Sequence, residues 1–344
     1  MLNNIMTDGE CSTLRSLIDE AETIVICAHQ NPDGDAMGAM LGWFAVLQHL
    51  GKDALMVVPD QYPDYLQWLP NTEKIVRYDK RKDYVDTVLK IADLVFCLDF
   101  NTLSRTDEME KPLAASPAKK VLIDHHPNPD SGMALCVSRP EASSASELVF
   151  RIVWQLGVFE ELSKHFAIPV YCGMMTDTGG FTYNSNDPDV FFIISQLLTK
   201  RINKDKIYRN VYHNYSEHRL RMVGFVLCNR LVVDDKRHAA YYTLGRDDQK
   251  KFHFVKGDAE GLVNMPLQIK GLKLSISLRE DTEHENLVWV SLRSVDSFPC
   301  NQMAGQFFNG GGHLNASGGR VYGTMDDAVK TVQDALKAYE DLLK

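Results

Sequence analysis

The chain has 344 residues, with 37 Lys+Arg against 46 Asp+Glu and a formal charge of -9. Its 44% hydrophobic and 24% charged residues are those of a globular protein, which excludes a disordered or fibrous chain, and its length predicts about two domains on a prior of roughly 150 residues each. No uninterrupted apolar run exceeds five residues, as in Ile24 to Ala28 and Leu94 to Leu98, whereas a membrane-crossing helix needs about 20; Met1 to Glu22 carries scattered acids and no apolar core, so the expectation is a cytoplasmic protein without a secretory leader or membrane partner.

Thr23 to Ala28 is β-branched, bounded by polar residues, and predicts a strand. Ala36 to Leu50 has apolar residues at helical spacing and stops at Gly51. Ala54 to Val58, Leu94 to Leu98 and Lys120 to Ile123 predict three further strands. Ser144 to Leu156 predicts a helix, with Ser144 and Glu147 spaced as a capping box and Gly157 as the stop. Such alternation implies a mostly parallel, doubly wound sheet with helices on both faces. Asp187 to Val232 is helical by pattern and ends in a connecting helix, Ser216 to Leu231. Ala239 to Thr243, Leu272 to Leu278 and Leu287 to Leu292 predict strands of a smaller α/β unit, closed by a helix over Met325 to Leu343. The expected domains are 1–199, a connecting segment 200–232, and 233–344, with a cleft between the two domains.

Seven cysteines, none closer than 16 positions to another, leave no CxxC pair for thiolate zinc or dithiol chemistry. The acidic balance argues against wrapping long nucleic acid but permits a small phosphate ligand held by local cations. Ligands of open α/β sheets bind at the carboxyl ends of the strands. There the sequence places His29-Gln-Asn-Pro-Asp33-Gly-Asp35, Asp99, Asp124-His125-His126, and, after the apolar run Ile168 to Met175, Asp177-Thr178-Gly179-Gly180-Phe181. Each alone reads as a turn former or a cap; together at four expected strand ends they read as a metal pair. Carboxylates and imidazoles without sulfur suit Mn, Mg, Co or Fe(II). His29, Asp33, Asp35, Asp99, His125 and Asp177 supply two half-shells, and two ions clamp the attacking and leaving oxygens of a phosphoryl displacement. A second phosphate then needs cations from the C-terminal part, where Arg279, Arg293, His313 and Arg320 lie. Five glycines fall within Gly310 to Gly319, a run suited to close backbone approach to an anion or to a hairpin turn, and it lacks the Lys-Ser/Thr ending of a P-loop.

The ordered set HxxPDxD, a lone Asp, Asp-His-His, Asp-Thr-Gly-x-Phe and GGGHxxASG resembles the DHH phosphoesterase superfamily with its DHHA1 domain, from Thr23 to about Gly323. Within it the chain is most similar to the bifunctional oligoribonuclease and pAp-phosphatase (nano-RNase) group. The resemblance implies one metal on His29, Asp33 and Asp99 and another on Asp35, Asp99, His125 and Asp177, with Asp99 bridging and Mn expected before Mg or Co. It implies that His126 faces the scissile phosphate, that Asp124 orients a neighbouring imidazole, and that Arg293, Gly311, Gly312, His313 and Ser317 bind substrate. The expected activity is hydrolysis of RNAs of about two to five nucleotides to 5′-mononucleotides, and of pAp to AMP, by a two-metal-activated hydroxide. A homodimer is implied by the same likeness. Hydrolysis of pApA or cyclic di-AMP, a pyrophosphatase or polyphosphatase, and a nucleotide sensor without turnover are the competing readings; native metal, substrate order and polarity of degradation stay open at this level.

Overall fold

The computed structural model describes residues 2–255 and 257–344. The chain divides into two compact units, Met1–Asn214 and Tyr215–Lys344.

The strands of the first unit are β1 (Ile24–Cys27), β2 (Ala54–Val58), β3 (Val76–Arg77), β4 (Leu94–Leu98), β5 (Lys119–Asp124) and β6 (Leu135–Ser138). Its helices are α1 (Asp8–Glu20), α2 (Gly34–His49), α3 (Tyr78–Ile91), α4 (Glu110–Ala115), α5 (Ala145–Gln155), α6 (Lys164–Asp177), α7 (Pro188–Thr199) and α8 (Lys204–Tyr212). The strand order is β3-β2-β1-β4-β5-β6, and every pairing is parallel. Strand order therefore reverses between β1 and β4, which opens a crevice at their carboxyl ends. Alternate side chains serve two cores. Ile24, Ile26, Phe96, Leu98, Val121 and Ile123 pack with α2, α5 and α6. Val25, Cys27, Val95, Cys97 and Leu122 pack with Val85, Leu89 and Leu113 of α3 and α4. Burial on both faces explains why these strands read as continuous apolar runs.

Two expectations need correction. Ile168 to Met175 belongs to α6, so the fourth ligand-bearing segment is a helix and not a strand. Nearly every side chain of this stretch is buried, which erases the amphipathic signal, and Pro169 argued against a helix. The capping box at α5 is half formed. Ser144 accepts the Glu147 N–H, but the Glu147 carboxylate turns to the N–H and hydroxyl of Ser143 at 2.8 and 2.6 Å.

The second unit holds α9 (Glu217–Asn229), β7 (Leu231–Asp234), β8 (Ala239–Leu244), α10 (Arg246–Lys251), β9 (Leu274–Glu280), β10 (Leu287–Ser294), α11 (Cys300–Phe307), β11 (Gly311–Gly312), β12 (Ala316–Tyr322), α12 (Met325–Ala338) and α13 (Glu340–Leu343). Its sheet runs β11-β12-β10-β9-β8-β7, antiparallel except between β8 and β9. Leu274, Ile276, Leu278, Val288, Val290 and Leu292 meet α11 and α12 on one face. The expected closing helix breaks at Tyr339 into α12 and α13. Among the described residues no helix is long and apolar enough to cross a membrane.

Candidate metal centre

Neighbouring strand ends deliver the first ligands. His29 follows β1, Asp99 follows β4, and Asp124, His125 and His126 end and follow β5. Asp33 caps α2, its Oδ1 accepting the N–H groups of Asp35 and Ala36 at 3.0 and 3.1 Å, while Asp35 sits in the first turn of that helix. Asp177 is the last residue of α6. The helices are brought together by glycine: a Cβ on Gly38 of α2 would lie 2.6 Å from the Pro169 carbonyl oxygen and 2.8 Å from Gly173 Cα of α6.

Asp99 is the centre of the arrangement. Its Oδ2 lies 3.4 Å from His29 Nε2, and its Oδ1 lies 3.5 Å from His125 Nε2. Asp33 Oδ1 is 3.9 Å from His29 Nε2, whereas Asp35 Oδ2 and Asp177 Oδ2 are 3.9 and 3.6 Å from His125 Nε2. Within the first unit three groups thus converge: His29, Asp33 and Asp99; Asp35, His125 and Asp177; and Asp99, Asp124 and His126. His126 is held differently from the other two imidazoles. Its Nδ1 meets Asp124 Oδ1 at 2.7 Å and its backbone N–H donates to Asp124 Oδ2 at 3.0 Å.

The backbone orients the rest. His29 Nδ1 faces the Gln30 carbonyl at 2.7 Å and His125 Nδ1 faces the Ala142 carbonyl at 3.3 Å. A carbonyl can only accept, so Nδ1 carries a proton, which leaves Nε2 to take a second proton facing Asp99 in the metal-free site or to give its lone pair to a metal ion. Asp35 accepts the N–H groups of Ala145 and Ser146 at 2.6 and 2.9 Å, which anchors it on the first turn of α5. Asp99 itself has φ of 63°, a left-handed backbone uncommon outside glycine and characteristic of functional sites. The sequence reading missed these backbone partners. The Ser143-Ser144-Ala145-Ser146-Glu147 cluster was the available signal, and it reads simply as a helix start.

A divalent pair fits this set. Two donors each about 2.1 Å from one ion lie about 3.0 to 3.4 Å apart, close to the separations found here. Asp99 Oδ1 is buried with no hydrogen-bond partner, a costly arrangement unless a cation meets it. Burial, together with the charges of Asp99 and Asp177, pushes the Asp35 carboxyl well above its ordinary range. Burial works against the charge on Asp99, but the imidazoles of His125 and His29 outweigh it and hold that carboxyl well below its usual range. Burial likewise opposes protonation of His29 and His125, yet the Asp99 carboxylate and its acidic neighbours raise both. Without metal, protons stand in for the cations that four crowded carboxylates demand.

In the second unit, Arg293 lies on β10 and its Nη1 donates to the Leu292 carbonyl at 2.9 Å. Gly311 and Gly312 form β11 and pair with Gly318 and Ser317 of β12, so the glycine run is a hairpin. A Cβ on Gly312 would lie 2.6 Å from the Ala316 carbonyl oxygen. The backbone N–H of His313 donates to the Ala316 carbonyl at 2.8 Å. The buried Ser317 hydroxyl donates to the His313 carbonyl at 2.8 Å, so its proton is used inside the turn.

Residues 23–174 match the model of the DHH family, N-terminal domain, and residues 239–344 match the DHHA1 domain. The chain belongs to the DHH/DHHA1 phosphoesterase family. A Thermus thermophilus protein named bifunctional oligoribonuclease and PAP phosphatase NrnA is 27% identical over 315 residues, 89% of this chain and 87% of that one. A Geobacillus thermodenitrificans protein named cyclic-di-AMP phosphodiesterase GdpP is 25% identical over 88% of this chain, which spans 45% of its length. The solved structure of an exopolyphosphatase-related protein from Bacteroides fragilis is 48% identical, covers 99% of both chains and superposes with a TM-score of 0.95. The DHH match contains His29 to Asp35, Asp99 and Asp124 to His126, and the DHHA1 match contains Arg293 and the glycine hairpin.

Proposed function

We propose that this phosphoesterase hydrolyses short oligoribonucleotides to 5′-mononucleotides and dephosphorylates pAp to AMP. The observation that carries the chemistry is the Asp99 carboxylate, whose Oδ2 faces His29 and whose Oδ1 faces His125 and, at 3.8 Å, His126 Nδ1, inside a ring of further carboxylates at the switch point of the sheet. The substrate class rests on the NrnA-type relative, which matches over nearly the whole of both chains.

His29, Asp33 and Asp99 would hold one ion, and Asp35, Asp99, His125 and Asp177 the other, with Mn the first choice and Mg or Co as alternatives. Bound there, such a pair supplies a hydroxide nucleophile near neutral pH and draws charge from the phosphoryl oxygens. Asp99, common to the two sets, would tie them together. Asp124 commits His126 Nδ1, so His126 Nε2 is the ring atom that carries a proton toward the leaving oxygen. In the second unit Arg293, Gly311, Gly312 and His313 would hold a terminal phosphate, and Ser317 braces the hairpin from inside. We assign catalysis to 1–199, a connecting role to 200–232 and substrate binding to 233–344.

The test is product release from 5′-labelled RNA dinucleotide, RNA pentanucleotide and pAp with Mn(II), for the wild type and Asp99→Asn. Turnover by the wild type that is lost in the variant supports the reading. A second reading, cleavage of pApA or cyclic di-AMP, draws on the cyclic-di-AMP phosphodiesterase relative, and polyphosphate joins the panel because of the Bacteroides neighbour. Turnover of one of these with inert RNA and pAp overturns the proposal.

A further inference from the structure

Four carboxylates, Asp33, Asp35, Asp99 and Asp177, match two divalent cations in charge, so the loaded centre has no surplus positive charge for a phosphoryl group that gains charge as it reacts. The other arginines with contacts in this unit are already engaged. Arg77 pairs with Asp79, Arg151 with Glu147 and Asp189, and Arg139 donates to the carbonyls of Ser138 and Ile5.

Arg105 is different. It sits in the 3-10 turn Leu103–Met109 that follows Asp99, and its carbonyl accepts the N–H of Gln30 at 2.7 Å, which clamps it beside the residue after His29. Its Nη1 is buried and has no hydrogen-bond partner. Among the described residues no carboxylate lies within ion-pair reach of its guanidinium. An arginine kept for scaffolding spends its donors on carbonyls, as Arg139 and Arg219 do. A half-buried guanidinium with a buried donor unpaired by protein groups, at the edge of a metal centre, is built for an acceptor that arrives with the substrate.

We propose that Arg105 donates to a non-bridging oxygen of the phosphate ester being hydrolysed, and is thus a catalytic residue outside the DHH motifs. The inference rests on the phosphoesterase reading above. The guanidinium keeps its proton throughout and contributes charge and direction only.

The test uses Arg105→Met and Arg105→Lys in the full chain, with two independent readouts. In Arg105→Met, kcat/KM for the nucleotide that the wild type cleaves best falls about 10²- to 10³-fold, the loss typical of one oxyanion donor. Arg105→Lys recovers part of that loss, because an ammonium restores the charge without the fork geometry. Calorimetric titration of inorganic phosphate into the Mn-loaded protein weakens at least about tenfold in Arg105→Met, while Mn affinity and the melting temperature hold. If the wild type cleaves none of the nucleotides, the substrate reading fails and the phosphate titration still decides Arg105. The inference is overturned by Arg105→Met retaining both kcat/KM and phosphate affinity within about threefold, or by its losing Mn affinity and melting temperature in step with activity, the mark of a purely structural arginine.

Discussion

Replacing Gly38 by alanine adds one methyl group where the structure has no room for it. Gly34, Gly38 and Gly42 form a stripe along α2 that faces Thr176, Gly173 with Pro169, and Val170 of α6. At Gly38 the new Cβ would meet the Pro169 carbonyl oxygen at 2.6 Å, Ser146 Oγ at 2.7 Å and Gly173 Cα at 2.8 Å. Two of these are backbone atoms that no rotamer change can move. Ordinary contact is about 3.5 to 4.0 Å, so the helices must part by about 1 Å. Overpacking of this kind costs about 1–3 kcal/mol. For a unit of this size about 2 kcal/mol corresponds to a fall of about 4–8 °C in melting temperature.

The site feels the same displacement. Asp35 rides on α2 and Asp177 on α6, and both face His125. A misplacement of about 1 Å at a reacting centre lowers activity about 100-fold. Gly224→Ala is the matched control. Gly224 lies exposed in α9 with nothing within 4 Å of its ideal Cβ, so the same substitution there should raise stability by about 0.5–1 kcal/mol. Thermal melts with and without Mn(II), beside kcat on RNA dinucleotide, read both effects. A Gly38→Ala protein that melts within about 1 °C of the wild type and keeps its activity would falsify the claim that the close α2–α6 crossing sets the ligand geometry.

Three further outcomes are expected. Asp99→Asn removes the carboxylate shared by both ligand groups; Mn affinity by calorimetry should fall by more than about 100-fold, and unchanged affinity would remove Asp99 from the centre. Asp124→Asn leaves His126 with a weaker partner on Nδ1, so kcat should drop about 10- to 100-fold with little change in Mn affinity, and an equal loss of both would place Asp124 among the direct ligands. Stability of the metal-free protein should fall as pH rises above the ordinary histidine value of 6.5, because His29 and His125 are raised in the fold and their contribution, complete below that value, is lost as pH climbs through their folded values. The raised Asp35 carboxyl acts in the same direction, and the depressed Asp99 carboxyl matters only in acid below its ordinary 3.8. Mn(II) replaces those protons, so its stabilising increment should grow as pH rises above the ordinary histidine value of 6.5, and a flat increment would contradict the proton–metal exchange.

What the sequence makes legible follows from what side chains record. β1, β2, β4 and β5 stand within a residue or two of their expected ranges because strands buried on both faces must be short, apolar runs. The Asp and His residues at the crevice are visible as motifs because their chemistry is in the side chain. Backbone groups leave no such mark: the Gln30 and Ala142 carbonyls and the Ala145 and Ser146 N–H groups fix the imidazoles and Asp35, yet residue identity does not announce them. Helix α6 is hidden for the opposite reason, since a helix buried nearly all round loses the period that would distinguish it from a strand. β3 and β6, two and four residues long at the sheet edges, are too short to carry a period. The glycine run is ambiguous in principle. An anion cradle and a tight hairpin both require residues without Cβ, and here Gly310 and Gly312 are demanded by the facing strand itself, with a Cβ 1.9 Å from the Gly318 carbonyl oxygen in the first case. Substituting Gly311, which has nothing within 4 Å of its ideal Cβ, therefore separates the two roles: the hairpin tolerates the methyl group, and a phosphate that must approach the backbone does not.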